Sequence, residues 1–136
     1  MDAFDADVLI YAAAAGHPLG RRVLPLLDGD VPEVRIGSVL LLPEVLSKPM
    51  RIDALDEVRA LAQLLGRLEL RPVDQATAQL ATVLGAAHGL RAADAVHLAT
   101  AVAAGADRFI TNNQRDFPAT IEEIEVTHPV DLPDPP

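Results

Sequence analysis

Short apolar runs alternate along the chain with longer segments whose apolar residues recur at helical spacing. In the segment 53–65, apolar residues at 54, 55, 58, 61, 62 and 65 define one face of a helix. The Ala-rich segment 92–104 is the clearest helix, and Gly105 is expected to end it. Asp74 is expected to cap another helix that runs to about residue 87.

Three more helices are expected in the first part of the chain, at 8–15, at 19–27 and from about 41 to the Lys48-Pro49 pair. Asp7 is the expected cap of the first of these helices, and the turn Asp28-Gly29-Asp30 is expected to end the second.

Between the helices lie five short stretches with the length and apolar character of buried strands: 2–5, 33–37, 68–73, 107–111 and 124–127. Strands that alternate with helices indicate a mostly parallel sheet covered by helices on both faces. The pattern therefore predicts an α/β fold with a central sheet of about five strands.

The length of 136 residues suits one domain, which we place at 1–127, followed by a Pro-rich tail at 128–136 that is expected to be extended. The chain has no Cys, which excludes disulfides and thiolate metal sites. No apolar run approaches the length of about 20 residues that a membrane span needs. A soluble, cytoplasmic protein is expected.

The net charge is −9, with a single Lys and ten Arg, which is the wrong sign for broad nucleic-acid binding. Carboxylates gathered in one pocket would contribute to this charge, and a divalent cation would offset them. An acidic chain therefore still allows an enzyme that reaches phosphate through a metal ion.

Several acidic and amide side chains follow strands or begin helices. Asp5 ends the first predicted strand, Asp94 lies in the first turn of a helix, and Asn112, Asn113 and Asp116 follow the fourth strand. In an open parallel sheet, the carboxyl ends of the strands share one edge, where ligands bind. Clustered oxygen ligands at such an edge suit Mg²⁺ or Mn²⁺.

Glu44 stands apart because it interrupts an apolar run, where a carboxylate is costly unless something pairs with it. Spacing by itself is a weak signal in a chain with 20 acidic residues.

Four stretches, in this order, resemble the conserved motifs of PIN-domain nucleases: FDADVLIYA at 4–12, SVLLLPEVL at 38–46, LRAADAVHLATA at 90–101 and FITNNQRDF at 109–117. They cover about residues 2–127, and the third and fourth together are the most specific. The size of the chain is most similar to that of the VapC-type toxins of toxin–antitoxin pairs.

The resemblance implies a Rossmann-like α/β/α sandwich and cleavage of RNA phosphodiester bonds by water activated on Mg²⁺ or Mn²⁺. Carried over by position, Asp5, Glu44 and Asp94 are the core metal ligands, and Asp116 or Asn113 completes the site. The resemblance also implies a homodimer and an antitoxin protein as a partner.

Three positions depart from the family pattern. Asn113 stands where an Asp is common, and the expected site therefore has one negative charge fewer. Asp7 stands where Asn or Ser is usual, so a charge is gained nearby. Leu41 stands where Thr is common.

Two alternatives therefore remain open. One is a PIN-fold binding domain whose catalysis is weakened by Asn113. The other is a haloacid-dehalogenase-type phosphatase that uses Asp5, although its required Lys would have to be Lys48, which is poorly placed.

Other polar residues have both plain and functional interpretations. Thr111 and Asn112 are expected to hydrogen-bond either a site carboxylate or a phosphate. Arg91 and Arg115 are candidate phosphate contacts, although surface arginines usually have no such role. His97, one turn after Asp94, is interpreted as a packed core histidine rather than a general base.

Overall fold

The computed structural model describes residues 1–28 and 33–135. Its strands are β1 (Asp2–Phe4), β2 (Arg35–Ser38), β3 (Glu69–Arg71), β4 (Arg108–Ile110) and β5 (Glu125–Thr127). They form one sheet in the order β3-β2-β1-β4-β5, and every neighbouring pair is parallel. The prediction of a parallel five-stranded α/β fold is confirmed.

The helices are α1 (Ala6–Ala13), α2 (Pro18–Leu27), α3 (Leu41–Arg51), α4 (Leu55–Leu65), α5 (Gln75–His88) and α6 (Ala92–Ala103). Residues of α1 to α4 pack in one apolar cluster and residues of α5 and α6 in another. Neighbouring strand residues such as Ala3 and Phe4 belong to opposite clusters, because successive side chains of a strand point to opposite faces of the sheet. The helices therefore cover both faces.

The start of α1 differs from the prediction. Asp5, not Asp7, is the N-cap: its backbone is extended (φ −84°, ψ 167°) and its side chain accepts a hydrogen bond from the Ala6 amide. β1 already ends at Phe4, so Asp5 is where the chain changes direction, and Asp7 falls in the first turn of the helix.

The end of α3 also differs, because the helix continues through Pro49 to Arg51. Pro49 lies in the last turn of α3, where its missing N–H removes the single intrahelical bond to the carbonyl of Val45, and its ring is buried. The chain then turns at Asp53, which has a positive φ of 56°.

The C-terminal segment is not extended throughout. A short 3₁₀ helix forms at Pro129–Asp131, and Leu132 enters the core cluster with 3% of its surface exposed. The Arg22 guanidinium donates to the carbonyls of Val130 (3.3 Å) and Leu132 (2.7 Å). Residues 128–132 therefore pack against the domain, while residue 136 and most of the predicted turn at 28–30 lie outside the described residues.

We expect Leu132→Ala to lower the free energy of unfolding by about 2–4 kcal/mol, because it leaves a cavity in the core. Val130→Ala, at a neighbouring side chain that is 54% exposed, is the matched control and should change it by less than about 0.5 kcal/mol. Urea unfolding followed by circular dichroism measures both. Equal effects for the two variants would contradict the packing of this segment.

Within the described ranges, none of the helices is long and apolar enough to cross a membrane.

Candidate active site

The site lies at the edge of the sheet where the carboxyl ends of β1 and β4 meet. The order of the strands reverses between β1 and β4, which is the position where open α/β sheets bind ligands. The Asp5 amide donates to the Ile110 carbonyl (3.0 Å), which joins the two strand ends. Asp5 and Thr111 each follow their strand directly, so their side chains meet there.

Asp5 is held in one orientation by two donors. One of its oxygens accepts from the Ala6 amide (2.8 Å) and the other from the Thr111 hydroxyl (2.8 Å). The Asn113 backbone amide in turn donates to the Thr111 hydroxyl oxygen (3.1 Å). Burial raises the pKa of Asp5, more than these hydrogen bonds and the charge of His97 lower it.

Glu44 and His97 join this carboxylate from two different helices. The Glu44 carboxylate lies 2.8 Å from His97 Nε2, and one ligand atom from each of Asp5, Glu44 and His97 lies within 4.8 Å of the other two. His97 is buried, as the sequence interpretation held, and it also contacts the site. The signal for this second role was its spacing of three residues from Asp94, which places both on one face of α6.

The electrostatics of His97 show how many acids converge on it. Burial lowers the pKa of His97, but the hydrogen bond that its ring donates to Glu44 and the charges of Asp5, Glu44 and Asp94 together raise it above its ordinary value. His97 Nδ1 is buried and has no hydrogen-bond partner among the described residues.

Asp94, the third expected ligand, lies outside the tight group of Asp5, Glu44 and His97. Its pKa is nevertheless raised by burial and then by the charges of Asp5, Asp116 and Glu44. Its carboxylate therefore shares the electrostatic field of the pocket, although the structure brings only two of the three expected ligands into close contact.

Asn113 and Asp116 are bonded to each other. The Asn113 side-chain amide donates to the Asp116 carboxylate (2.9 Å), and the Asp116 backbone amide donates to Asn113 Oδ1 (3.2 Å). The amide oxygen of Asn113 is thus already an acceptor within its own loop. Asp116 contributes its charge to the pocket through its effect on Asp94.

Asp7 is a further acid beside the site. One of its oxygens accepts from the Asn112 amide (3.1 Å), and the other is buried without a partner among the described residues. Burial and the neighbouring charge of Asp5 raise the pKa of Asp7 to about 7. An orphaned buried oxygen among mutually repelling carboxylates fits a cation, because a positive charge would relieve both the repulsion and the lost hydration.

The expected polar contacts are placed as follows. Thr111 and Asn112 hydrogen-bond carboxylates, which is the first of the two alternatives considered for them. Arg91 and Arg115 are exposed, and neither forms an ion pair with any residue in 1–28 or 33–135.

A parallel α/β domain that gathers carboxylates at the switch point of its sheet is thus the class of protein that the structure defines. The model of the PIN domain family matches residues 3–122, and the chain belongs to this family. Membership of this family sets aside the dehalogenase-type phosphatase.

Several solved structures share the fold. A chain of a toxin–antitoxin complex from Klebsiella pneumoniae is 23% identical, with a TM-score of 0.76 over 95% of this chain and 98% of that one. VapBC2 from Rickettsia felis, bound to a DNA fragment from its promoter, gives 17% identity and a TM-score of 0.74 over 93% and 97%. VapC20 of Mycobacterium tuberculosis, a Sarcin-Ricin loop cleaving toxin, gives 15% and 0.66 over 92% and 99%. No curated protein sequence matches the chain.

Proposed function

We propose that the chain is an endoribonuclease that hydrolyses RNA phosphodiester bonds with Mg²⁺ or Mn²⁺, and that it is the toxin of a toxin–antitoxin pair. The observation that carries the proposal is the convergence of Asp5 and Glu44, within the field of Asp94, at the switch point of a PIN-domain sheet. Carboxylates that repel one another in this way fit a site for a hard divalent cation.

Asp5, Glu44 and Asp94 would hold the ion, and Asp116, whose charge helps to raise the pKa of Asp94, would add a fourth carboxylate. When bound, such an ion supplies positive charge for a phosphodiester and lowers the pKa of water. Asn113 is a weaker candidate ligand because its amide oxygen already accepts a hydrogen bond.

The remaining residues orient these groups or bind RNA. Thr111 is fully buried, so its contribution is to fix the Asp5 carboxylate rather than to touch substrate. His97 fixes Glu44 in the same way. Arg91, at the N-cap of α6, and Arg115 are free to contact phosphates beside the pocket.

The similarity of the fold to chains of toxin–antitoxin complexes supports an antitoxin as a partner. Exposed apolar side chains at Ile10, Met50, Ile52 and Leu55 are consistent with surfaces that a protein partner or a second copy of the chain would cover. A toxin that cleaves cellular RNA would act in the cytoplasm, and we propose this location for the protein.

The decisive experiment incubates the purified chain with labelled single-stranded RNA and with DNA of the same sequence, in Mg²⁺, in Mn²⁺ and in EDTA. We expect cleavage of RNA only, and only with a metal ion. Cleavage that persists in EDTA would contradict the metal-dependent mechanism. Binding of Mn²⁺ without cleavage of any RNA would favour the alternative of a PIN-fold binding domain, which the engagement of Asn113 within its own loop supports.

We expect His97→Ala to weaken Mn²⁺ binding about 10-fold or more, because Glu44 loses the partner that orients it. Isothermal titration calorimetry measures the affinity independently of catalysis. The matched control is His88→Ala, which removes another His–Glu contact, that of His88 Nε2 with Glu123 (2.8 Å), on the surface. Equal Mn²⁺ affinities for the two variants would show that His97 serves packing alone.

A further inference from the structure

Two aromatic rings outside the core stack on each other near the candidate site. The centroids of Tyr11 and His17 are 4.4 Å apart and their planes differ by 7°. Both residues are partly exposed, whereas the three Phe of the chain are fully buried in the core. The Tyr11–His17 stack is therefore not accounted for by packing of the core.

The stack is connected to the carboxylate pocket through Asn112. The Asn112 backbone amide donates to Asp7, and its side-chain amide donates to the Tyr11 hydroxyl (3.4 Å). Tyr11 lies one turn after Asp7 on α1, so both face the same side of the helix. The two rings thus lie beside the edge of the carboxylate pocket.

The geometry of the stack is set by its backbone. His17 is the N-cap of α2, and its Nδ1 accepts from the amides of Leu19 and Gly20 (3.2 Å each). A Cβ at Gly20 would lie 2.0 Å from the Tyr11 carbonyl oxygen, so only glycine lets α2 approach α1 this closely. Because Nδ1 accepts both of these bonds, Nε2 is the ring nitrogen that carries a proton.

We propose that the Tyr11–His17 stack binds an unstacked base of single-stranded RNA next to the phosphodiester held at the carboxylates. This inference rests on the proposed ribonuclease function. Proteins read single-stranded RNA by stacking splayed bases on aromatic side chains, and the bases of a duplex have no free faces for such contacts.

The charge around the stack suits the same ligand. Arg21 lies one turn after His17, is exposed, and forms no ion pair within the described part of the chain. In a chain with a net charge of −9, it offers a phosphate contact on the side of the pocket where the rings lie.

The chain offers a direct reporter, because Tyr11 is its only Tyr and it has no Trp. A single-stranded oligoribonucleotide is titrated into Asp94→Asn in Mg²⁺, so that the RNA is not consumed, and Tyr11 fluorescence is recorded. Free tyrosine amide at the same RNA concentrations corrects for absorption. We expect quenching that saturates together with the anisotropy of labelled RNA, and weaker binding of the same sequence as a duplex.

Three further substitutions in this background test the stack by the anisotropy of labelled RNA. Tyr11→Leu removes one ring, and His17→Asn removes the other while keeping a good N-cap residue for α2. Each should weaken RNA binding about 5- to 100-fold. Tyr11→Phe keeps the ring and should bind within about 2-fold of the parent. Thermal unfolding checks that each variant is folded. If Tyr11→Leu does not fold, the RNA affinity of His17→Asn tests the stack.

Metal-dependent cleavage by the unmodified chain, together with unchanged RNA affinity in both ring-deleting variants, would refute the role of the stack in RNA binding but not the proposed ribonuclease function. Absence of both RNA binding and cleavage in the unmodified chain would overturn the two proposals together.

Discussion

Asp5→Asn is expected to reduce metal-dependent RNA cleavage by about 1000-fold or more while leaving the protein folded. Removing one preorganised group that stabilises charge at a reaction centre commonly lowers the rate by about 10²- to 10³-fold, and loss of a metal ligand adds to this. Single-turnover cleavage of labelled RNA measures the effect. Asp94→Asn should behave in the same way, because its carboxylate is proposed to hold the same ion.

Asp5→Asn should also raise the stability of the metal-free protein. Burial raises the pKa of Asp5, so its ionised form destabilises the fold near neutral pH, and an uncharged side chain of the same shape relieves this. Asp56→Asn, at an exposed acid in the first turn of α4, is the matched control for both measurements. It should leave cleavage unchanged and lower the free energy of unfolding by less than about 0.5 kcal/mol, because it loses only surface interactions with the helix and Arg59. An Asp5→Asn protein that is stable and fully active would refute the assignment of Asp5.

Asp7→Asn should make the metal-free protein more stable, with a gain that depends on pH. The pKa of Asp7 rises from 3.8 to about 7 on folding, a difference that corresponds to about 4 kcal/mol at roughly 1.4 kcal/mol per pKa unit. Below the unfolded value both states are protonated, so the variant gains least near pH 4. The unfolded state loses its proton first as the pH rises, so the gain should grow from pH 4 to 7 and level off above that.

Urea unfolding in EDTA at several pH values measures this gain. Asn keeps an acceptor for the Asn112 amide and places an amide group where Asp7 has an oxygen without a partner. A gain that is the same at pH 4 and pH 8 would show that the charge of Asp7 is not the cause.

The helices with the most regular spacing were predictable because their periodicity is strong. α4 and α6 begin and end within about two residues of the prediction, and Asp74 caps α5 as expected. The start of α1 was not predictable locally, since Asp5 and Asp7 are both good N-cap residues. Only the end of β1 decides between them.

The local sequence also did not predict contacts between distant parts of the chain. The bond between Glu44 and His97 joins residues separated by 53 positions, so neither residue indicates the other. The burial of Leu132 likewise depends on a core that other elements build and on Arg22 in α2. The motifs placed the acids at one edge of the sheet, but their distances depend on how α3 and α6 pack.

The crowding of acids between β1 and β4 also bears on how long the protein survives in a cell. Asp5, Asp7 and Asp94 all have raised pKa values, so the empty pocket opposes folding at neutral pH. A cation that binds only the folded chain adds stability that grows with its concentration above Kd, at about 1.4 kcal/mol for each tenfold excess. Proteolytic turnover follows the population of opened molecules. Divalent-metal supply would therefore set the abundance of the protein as well as its catalytic rate.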